Sequence, residues 1–343
     1  MKTITIYDIA KMAKVSRSTV SRVLNNSQSV SDQAREKVLQ VIRENNYEPD
    51  LRARSLSVKN ASTIAVVHRA GSKGIENIEA NPFYSEVMQG ILREAMHDKY
   101  MVAQFMIMKE ADLENVVKLI RGKAIDGLAL VGNFEPELIR SLLEEKLPLV
   151  LVDNDLPGVE VSAVYSDNKT GARLGMEYLL NLGHRRIGYL SGPLERFPYQ
   201  QRFLAYKEAL AKNKLPFDPS IVSVDNAPGH ELIKKLLTAR PFPTAIMASN
   251  DDRILEAAVV LKKAGLKIPE DVSVFGFDDV YSARLLEVGL STIRVPREEI
   301  GREGVRILAS LLEDPASSIQ KKALHVEMVL RGSVAVPKEQ SIA

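Results

Sequence analysis

The chain has 343 residues, 45% of them hydrophobic, with a formal net charge of +2, five histidines and no cysteine. Lack of cysteine excludes disulfides and thiol nucleophiles, and the scattered histidines lack metal-ligand spacing, so no metal or cofactor is expected. No apolar run is long enough to span a bilayer and no signal peptide is recognisable, so we expect a cytoplasmic protein. The length allows two or three folding units with a large core.

The first predicted elements are two helices within residues 6–25. Apolar residues at helical spacing form one face, and Ser16 is a suitable N-cap for the second helix. That apolar face comprises Ile6, Ile9, Ala10, Ala13, Val20, Val23 and Leu24. The exposed side of the second helix carries hydroxyls and guanidiniums, which suit contacts to phosphates and guanine edges in the major groove. These residues are Arg17, Ser18, Thr19, Ser21, Arg22 and Asn25.

The charge distribution favours this helix-turn-helix over the alternative, a helical hairpin whose polar face is merely solvated. Residues 1–60 carry eleven Lys or Arg and six Asp or Glu, a net charge of +5. The remainder of the chain carries a net charge of −3. Positive charge is therefore concentrated where a phosphate-binding module needs it.

The same segment resembles, nearly residue for residue, the DNA-binding headpiece of the lactose-repressor (LacI/GalR) family. The resemblance rests on the runs Tyr7-Asp8-Ile9-Ala10, Val15-Ser16 and Thr19-Val20-Ser21-Arg22-Val23-Leu24-Asn25. It implies a headpiece over residues 1–49 that binds double-stranded operator DNA. The DNA-contacting residues it implies there are Thr5, Tyr7, Ser16, Arg17, Ser18, Thr19, Ser21, Arg22 and Asn25.

A third helix is predicted from Ser31 to about Asn45, and a basic segment over residues 50–60 follows it. From its composition alone this segment is a linker. The resemblance implies instead a hinge helix that forms on operator DNA and inserts a leucine into the minor groove. Leu56 fits that role, with Ala53 beside it and Lys59 at a phosphate.

After residue 60, short apolar runs alternate with amphipathic helices, which predicts parallel sheets covered on both faces. The runs lie at 64–67, 102–108, 127–131, 149–152, 187–190, 245–248 and 272–275. The helices are predicted near 86–99, 113–121, 136–145, 169–182, 200–213, 230–239 and 252–264. Seven such units suggest two sheets, whose ligands gather at the carboxyl ends of the strands.

The resemblance extends over essentially the whole chain, through Gly192-Pro193, Asn250-Asp251 and Gly276-Phe277-Asp278-Asp279. It implies an α/β effector-binding core, residues 61–336, of two doubly wound parallel-sheet subdomains of the periplasmic-binding-protein type. The N-subdomain would comprise about 61–164 and 294–324, and the C-subdomain about 165–293 and 325–336. Residues 337–343 form a tail without leucine heptads, so we expect a homodimer and no tail-mediated tetramer.

Candidate ligand residues stand at the strand ends and in the family's pattern. They are Arg69, Phe83, Tyr84, Asp153, Arg202, Asn250 and Asp278. Carboxylates, amides and aromatic rings together suit a sugar-like effector in the cleft between the subdomains. An Asp after a strand is alternatively a helix N-cap, and this alternative is favoured for Asp251.

Three departures from the family pattern bear on the ligand. Val295 replaces a common Gln, Asn226 lies near the usual place of an aromatic ring, and the first strand ends in His68-Arg69. The additional Arg69 either favours an acidic or phosphorylated sugar or pairs with an Asp of the cleft.

Catalysis is not expected, because the chain has no phosphate-binding loop, nucleophile elbow or metal cluster. We predict a ligand-controlled transcription regulator, a repressor of carbohydrate-related genes that binds a palindromic operator as a dimer. The alternatives are a non-enzymatic sugar-binding protein of the periplasmic type and a regulator that responds to an acidic or phosphorylated metabolite or a purine.

Overall fold

The computed structural model describes residues 6–24, 30–45, 62–69, 81–107 and 110–338. The chain divides into two compact units, Met1–Ser62 and Thr63–Ala343. The predicted hinge helix over 50–60 lies outside the described residues, as do Thr5, Asn25, Ala53, Leu56 and Lys59. In the described part of the chain, no helix is both long and apolar enough to cross a membrane.

The first unit contains three helices, α1 (Ile6–Met12), α2 (Arg17–Leu24) and α3 (Asp32–Glu44). Their predicted apolar faces form one small core, whose buried members are Ile9, Ala10, Ala13, Val20, Val23 and Val38. The Ser31 hydroxyl accepts a hydrogen bond from the Ala34 amide at 3.4 Å, so Ser31 is the N-cap of α3 as predicted. The helix-turn-helix prediction is therefore confirmed at the level of structure.

The second unit begins with a six-stranded parallel sheet in the order β11-β5-β4-β3-β1-β2. Its strands are β1 (Thr63–Arg69), β2 (Met101–Ile107), β3 (Gly127–Val131), β4 (Leu149–Val152), β5 (Ser162–Ser166) and β11 (Lys321–Leu324). Its helices are α4 (Pro82–His97), α5 (Glu110–Arg121), α6 (Pro136–Glu144) and α11 (Arg297–Glu313). Strands β3 and β4 are buried along their whole length, as parallel strands covered by helices must be.

A second parallel sheet has four strands in the order β7-β6-β8-β9. The strands are β6 (Ile187–Ser191), β7 (Val222–Val224), β8 (Ala245–Ala248) and β9 (Ser273–Phe275). The helices are α7 (Asn168–Asn181), α8 (Phe197–Lys212), α9 (Gly229–Leu237) and α10 (Asp251–Lys263). Strands β10 (Thr292–Arg294) and β12 (Glu327–Val329) pair antiparallel where the chain crosses between the sheets.

Helices α4 and α11 pack with their backbones in direct contact. A Cβ atom on Gly90 would lie 1.9 Å from the Glu298 carbonyl oxygen, and one on Gly301 would lie 2.0 Å from the Val87 carbonyl oxygen. Both distances are far below van der Waals contact, so the crossing requires glycine on each helix.

Candidate functional site

The exposed face of α2 presents the guanidiniums predicted to meet DNA. Arg17 Nη1 donates a hydrogen bond to the Tyr7 hydroxyl at 3.0 Å, and its guanidinium lies 5.1 Å from the centre of the Tyr7 ring. Arg22 is exposed and makes no hydrogen bond or ion pair with any described residue. Arg22 is therefore available to an external partner, whereas Arg17 is oriented by Tyr7.

Three hydroxyl groups meet at the N-terminus of α2. The Ser16 hydroxyl accepts from the Thr19 amide at 3.1 Å and lies 2.7 Å from Ser18 Oγ and 2.9 Å from Thr19 Oγ1. Ser16 thus caps the helix as predicted, while Ser18 is exposed, and Thr19 and Ser21 are partly buried. Hydroxyls at a positive helix end suit a phosphate oxygen.

A cavity lies where the carboxyl ends of the two parallel sheets face each other. Six of the seven predicted ligand residues line it: Phe83, Tyr84, Asp153, Arg202, Asn250 and Asp278. The other lining residues are Asn81, Asn133, Arg196, Pro198 and Tyr199, which the sequence reasoning missed. Most of these begin helices that follow strands, and that position was the available signal for them.

Arg69 is not brought together with the other predicted ligand residues. It forms an ion pair with Glu135 and does not line the cavity. Both side chains are substantially exposed, so this contact is a surface ion pair at the end of β1. Of the other departures noted in the sequence, Val295 is buried in the core and Asn226 is exposed.

Arg202 is the central cation of the cavity. Its guanidinium lies 3.6 Å from the centre of the Phe277 ring, and Nε donates to Asn168 Oδ1 at 2.8 Å. Nη1 donates to the Ser249 carbonyl oxygen and lies 3.3 Å from Asp278 Oδ1. Only 2% of Arg202 is exposed, so this buried charge depends on its acidic partner.

Asp153 and Asp278 supply two carboxyl groups from opposite sheets. Burial raises the pKa of Asp153 to about 7 and that of Asp278 to about 6, although the Arg202 charge opposes both shifts. The Tyr84 hydroxyl donates to Asp153 Oδ2 at 3.1 Å, whereas Asp153 Oδ1 has no hydrogen-bond partner among the described residues. That buried oxygen points to a donor supplied by a ligand.

Asn250, not Asp251, is the N-cap of α10. Asn250 Oδ1 accepts from the Arg253 amide at 3.3 Å. Asp251 is fully buried, and its carboxylate accepts from the Thr292 hydroxyl at 2.6 Å and from the Val280 amide at 3.0 Å. The expectation that Asp251 caps the helix is wrong, because its side chain turns inward to join α10 to β10.

The neighbouring acids Asp278 and Asp279 serve different contacts. Asp278 meets Arg202 at the cavity, while Asp279 binds Arg294 at 2.9 Å and Arg331 at 2.6 Å. Their side chains therefore diverge and form no shared acid–base pair. Among the described residues, no group of three or more His, Asp or Glu is arranged to hold a metal ion.

The cavity is lined by buried and partly buried residues that can both accept and donate hydrogen bonds. Phe83 and Tyr84 stand edge to face with their ring centres 5.1 Å apart, which adds an aromatic surface beside Asp153. Two carboxyl groups, a guanidinium and an amide around such rings suit a small polyhydroxylated molecule.

Comparisons with known proteins agree with both parts of this architecture. Residues 5–50 match "Bacterial regulatory proteins, lacI family", and residues 176–334 match "Periplasmic binding protein-like domain". The chain is 33% identical to the ribose operon repressor of Haemophilus influenzae, over 96% of this chain and 98% of that protein. It is 32% identical to the transcriptional repressor CytR of Escherichia coli K12, over 96% of each.

A solved structure of the lac repressor dimer, bound to operator and the anti-inducer ONPF, superposes with a TM-score of 0.85. The match has 25% identity and covers 97% of this chain and 100% of that chain. The predicted fold class, a helix-turn-helix headpiece followed by two periplasmic-binding-protein-like subdomains, is confirmed.

Proposed function

Since the chain belongs to the lacI family of bacterial regulatory proteins, we propose that it represses carbohydrate-related genes under the control of a small, sugar-like effector. The family consists of regulators, not enzymes. The observation that supports the effector site is the cavity. Six residues that were predicted from the sequence line it, and they come from both sheets.

The proposed DNA partner is a palindromic operator bound by a homodimer, in the cytoplasm. The exposed Arg22 and the hydroxyl cluster at the N-terminus of α2 support this proposal, as does the likeness to an operator-bound repressor dimer. In this proposal Arg22 reads a guanine edge, and Ser16, Ser18 and Thr19 contact phosphates. Leu56, Ala53 and Lys59 remain predicted minor-groove and phosphate contacts of the hinge.

One ligand would bridge the two subdomains. Phe83 and Asp153 contact it from the six-stranded side, and Arg202 and Asp278 contact it from the four-stranded side. Because both halves hold the same molecule, binding favours one relative orientation of the subdomains and so shifts the population of DNA-binding states.

The test begins with selection of an operator from random duplexes by the full-length chain. Mono- and disaccharides and their derivatives are then screened for molecules that raise the melting temperature and change operator affinity. Asp153→Asn is the cavity variant, because it keeps the side-chain shape but removes the carboxylate. Arg69→Ala is the matched control, because Arg69 lies on the same subdomain outside the cavity.

We expect Asp153→Asn to bind operator normally and to need at least roughly tenfold more ligand, since a charged partner in a buried contact contributes about 2–5 kcal/mol. Arg69→Ala should respond like the parent chain. An unchanged ligand response in Asp153→Asn would contradict the proposed site, and failure to select any DNA sequence would contradict the regulator itself.

A further inference from the structure

Arg253, in the first turn of α10, is a buried cation without an acidic partner. About 2% of the residue is exposed. Nη1 donates to the Tyr199 hydroxyl at 3.2 Å and to Asn250 Oδ1 at 3.3 Å, and Nε has no hydrogen-bond partner. Among the described residues, no carboxylate oxygen lies within 4.0 Å of its guanidinium nitrogens, and the adjacent Asp252 interacts with it only at longer range. Burial of an unpaired charge is costly, so this guanidinium needs an explanation.

The other buried arginines of the core do have acidic partners. Arg202 lies 3.3 Å from Asp278, and Arg297 donates to Glu86 at 2.9 Å. Arg253 is the exception among the three, and both of its side-chain partners, Tyr199 and Asn250, line the ligand cavity. The position at which Arg253 lacks a negatively charged partner is therefore next to the cavity.

The surroundings of Arg253 are shaped to admit it. A Cβ atom on Gly192 would lie 2.6 Å from Arg253 Nη2 and 2.5 Å from the Tyr199 ring, so glycine there makes room for both groups. Two guanidiniums lie near the Tyr199 ring centre, that of Arg253 at 5.1 Å and that of Arg196 at 5.8 Å. The next residue back along β6, Ser191, has a buried hydroxyl without a hydrogen-bond partner.

Arg253 also affects the hydrogen-bonding roles of its two neighbours, Tyr199 and Asn250. A guanidinium only donates, so the Tyr199 oxygen and Asn250 Oδ1 act as acceptors towards it. The phenolic proton of Tyr199 and the amide protons of Asn250 are then left to donate elsewhere, and both residues face the cavity. The Arg253 backbone amide also holds Asn250 Oδ1 as an acceptor. Both side chains are thus left with protons to donate towards the cavity, which favours an acceptor-rich, negatively charged group.

We propose that the effector carries an anionic group, a carboxylate or a phosphate, that binds at Tyr199 and Asn250 and is compensated by the charge of Arg253. This inference rests on the proposed function, since it concerns the same cavity. Arg253 acts as a positioning and specificity-determining residue behind the two donors.

The experiment compares matched molecules on the full-length chain by thermal shift and calorimetry. Each uronic or aldonic acid is paired with its neutral parent sugar and with the corresponding sugar phosphate. Arg253→Met removes the charge while filling the space, and Tyr199→Phe removes only the hydroxyl donor. Arg140→Met, an exposed arginine outside the cavity, is the matched control.

We expect one acidic or phosphorylated member to bind at least tenfold more tightly than its neutral parent, and the stronger of the two identifies the anion. Arg253→Met and Tyr199→Phe should each reduce this ratio severalfold, whereas Arg140→Met leaves it unchanged. If Arg253→Met fails to fold, Tyr199→Phe decides by the same ratio.

Two results would overturn the inference in distinguishable ways. If neutral sugars bind as tightly as their acids and still change operator affinity, the effector is uncharged and the proposed function stands. If no member of any class binds, the proposed effector class fails together with the inference.

Discussion

The headpiece and the ligand cavity use polar residues in opposite environments. The predicted DNA contacts Tyr7, Arg17 and Arg22 are exposed on a small apolar core. The cavity residues Asp153, Arg202 and Asp278 are at most 6% exposed. A side chain of the first kind can change with little effect on folding, whereas one of the second kind contributes to stability, pH response and binding at once.

The largest effect should come from Arg202→Ala. The substitution leaves Asp278 buried without its cation, and loss of one partner of a buried pair costs about 3–5 kcal/mol. We expect a lower free energy of unfolding in urea and loss of ligand response, with operator binding retained. A full change of operator affinity at the parent chain's ligand concentration would place the ligand elsewhere.

A second effect should appear when pH is varied. The folded carboxyls of Asp153 and Asp278 keep a proton that the unfolded chain has released above about pH 4. The free energy of unfolding of the ligand-free chain should therefore fall as pH rises towards 7, by about 1.4 kcal/mol per pH unit for Asp153, and then level off. Unfolding titrations between pH 5 and 8 measure this slope.

Asp153→Asn tests the origin of that slope, because an amide does not titrate. The variant should be less sensitive to pH than the parent chain over the same range. An equal slope in both proteins would assign the pH response to other groups.

Arg22→Ala should affect DNA binding alone. Loss of a guanine contact should weaken operator binding by roughly 1–3 kcal/mol and relax the preference at one base position in each half-site. The melting temperature should change little, because Arg22 is exposed and makes no hydrogen bond or ion pair with the described residues. An equal loss on operator and random DNA would make Arg22 a phosphate contact.

Ser16→Ala should have the smallest effect. It is an exception to the contrast between exposed headpiece residues and buried cavity residues. Its hydroxyl is exposed yet caps α2, so its loss should cost about 1 kcal/mol of headpiece stability as well as a predicted phosphate contact. Ser18→Ala is the control, since Ser18 caps no helix amide. Equal melting temperatures for the two variants would show that the cap contributes nothing.

The sequence predicted the regular elements better than the irregular ones. The helices and long buried strands between residues 64 and 275 were found, but the 17-residue helix α11 was missed. The strands β5, β7 and β11 and the pairing of β10 with β12 were missed as well. These strands have three to five residues, and β5 mixes serine and tyrosine with its apolar residues. Pairing across distant parts of the chain, not local pattern, holds them in place.

In the cavity, the strand-end acids and Arg202 were predictable because position relative to a parallel sheet fixes where such residues meet. Arg253 and Tyr199 were not, since helical period places a residue on a face but does not show that glycine at 192 leaves space for a guanidinium. Arg69 could not be assigned from sequence either, because its partner Glu135 follows a different strand.

The glycine crossing of α4 and α11 limits how the six-stranded subdomain can move. Sliding α4 along α11 by one helical turn would bring the side chain of Val87 or Glu94 against the Glu298 carbonyl, where only Gly90 fits. Phe83 lies in the first turn of α4, and Arg297, which begins α11, donates to the carbonyl of Asp278. We therefore expect a ligand that displaces Asp278 to move α4 and α11 together as one rigid pair. One helix should not slide along the other.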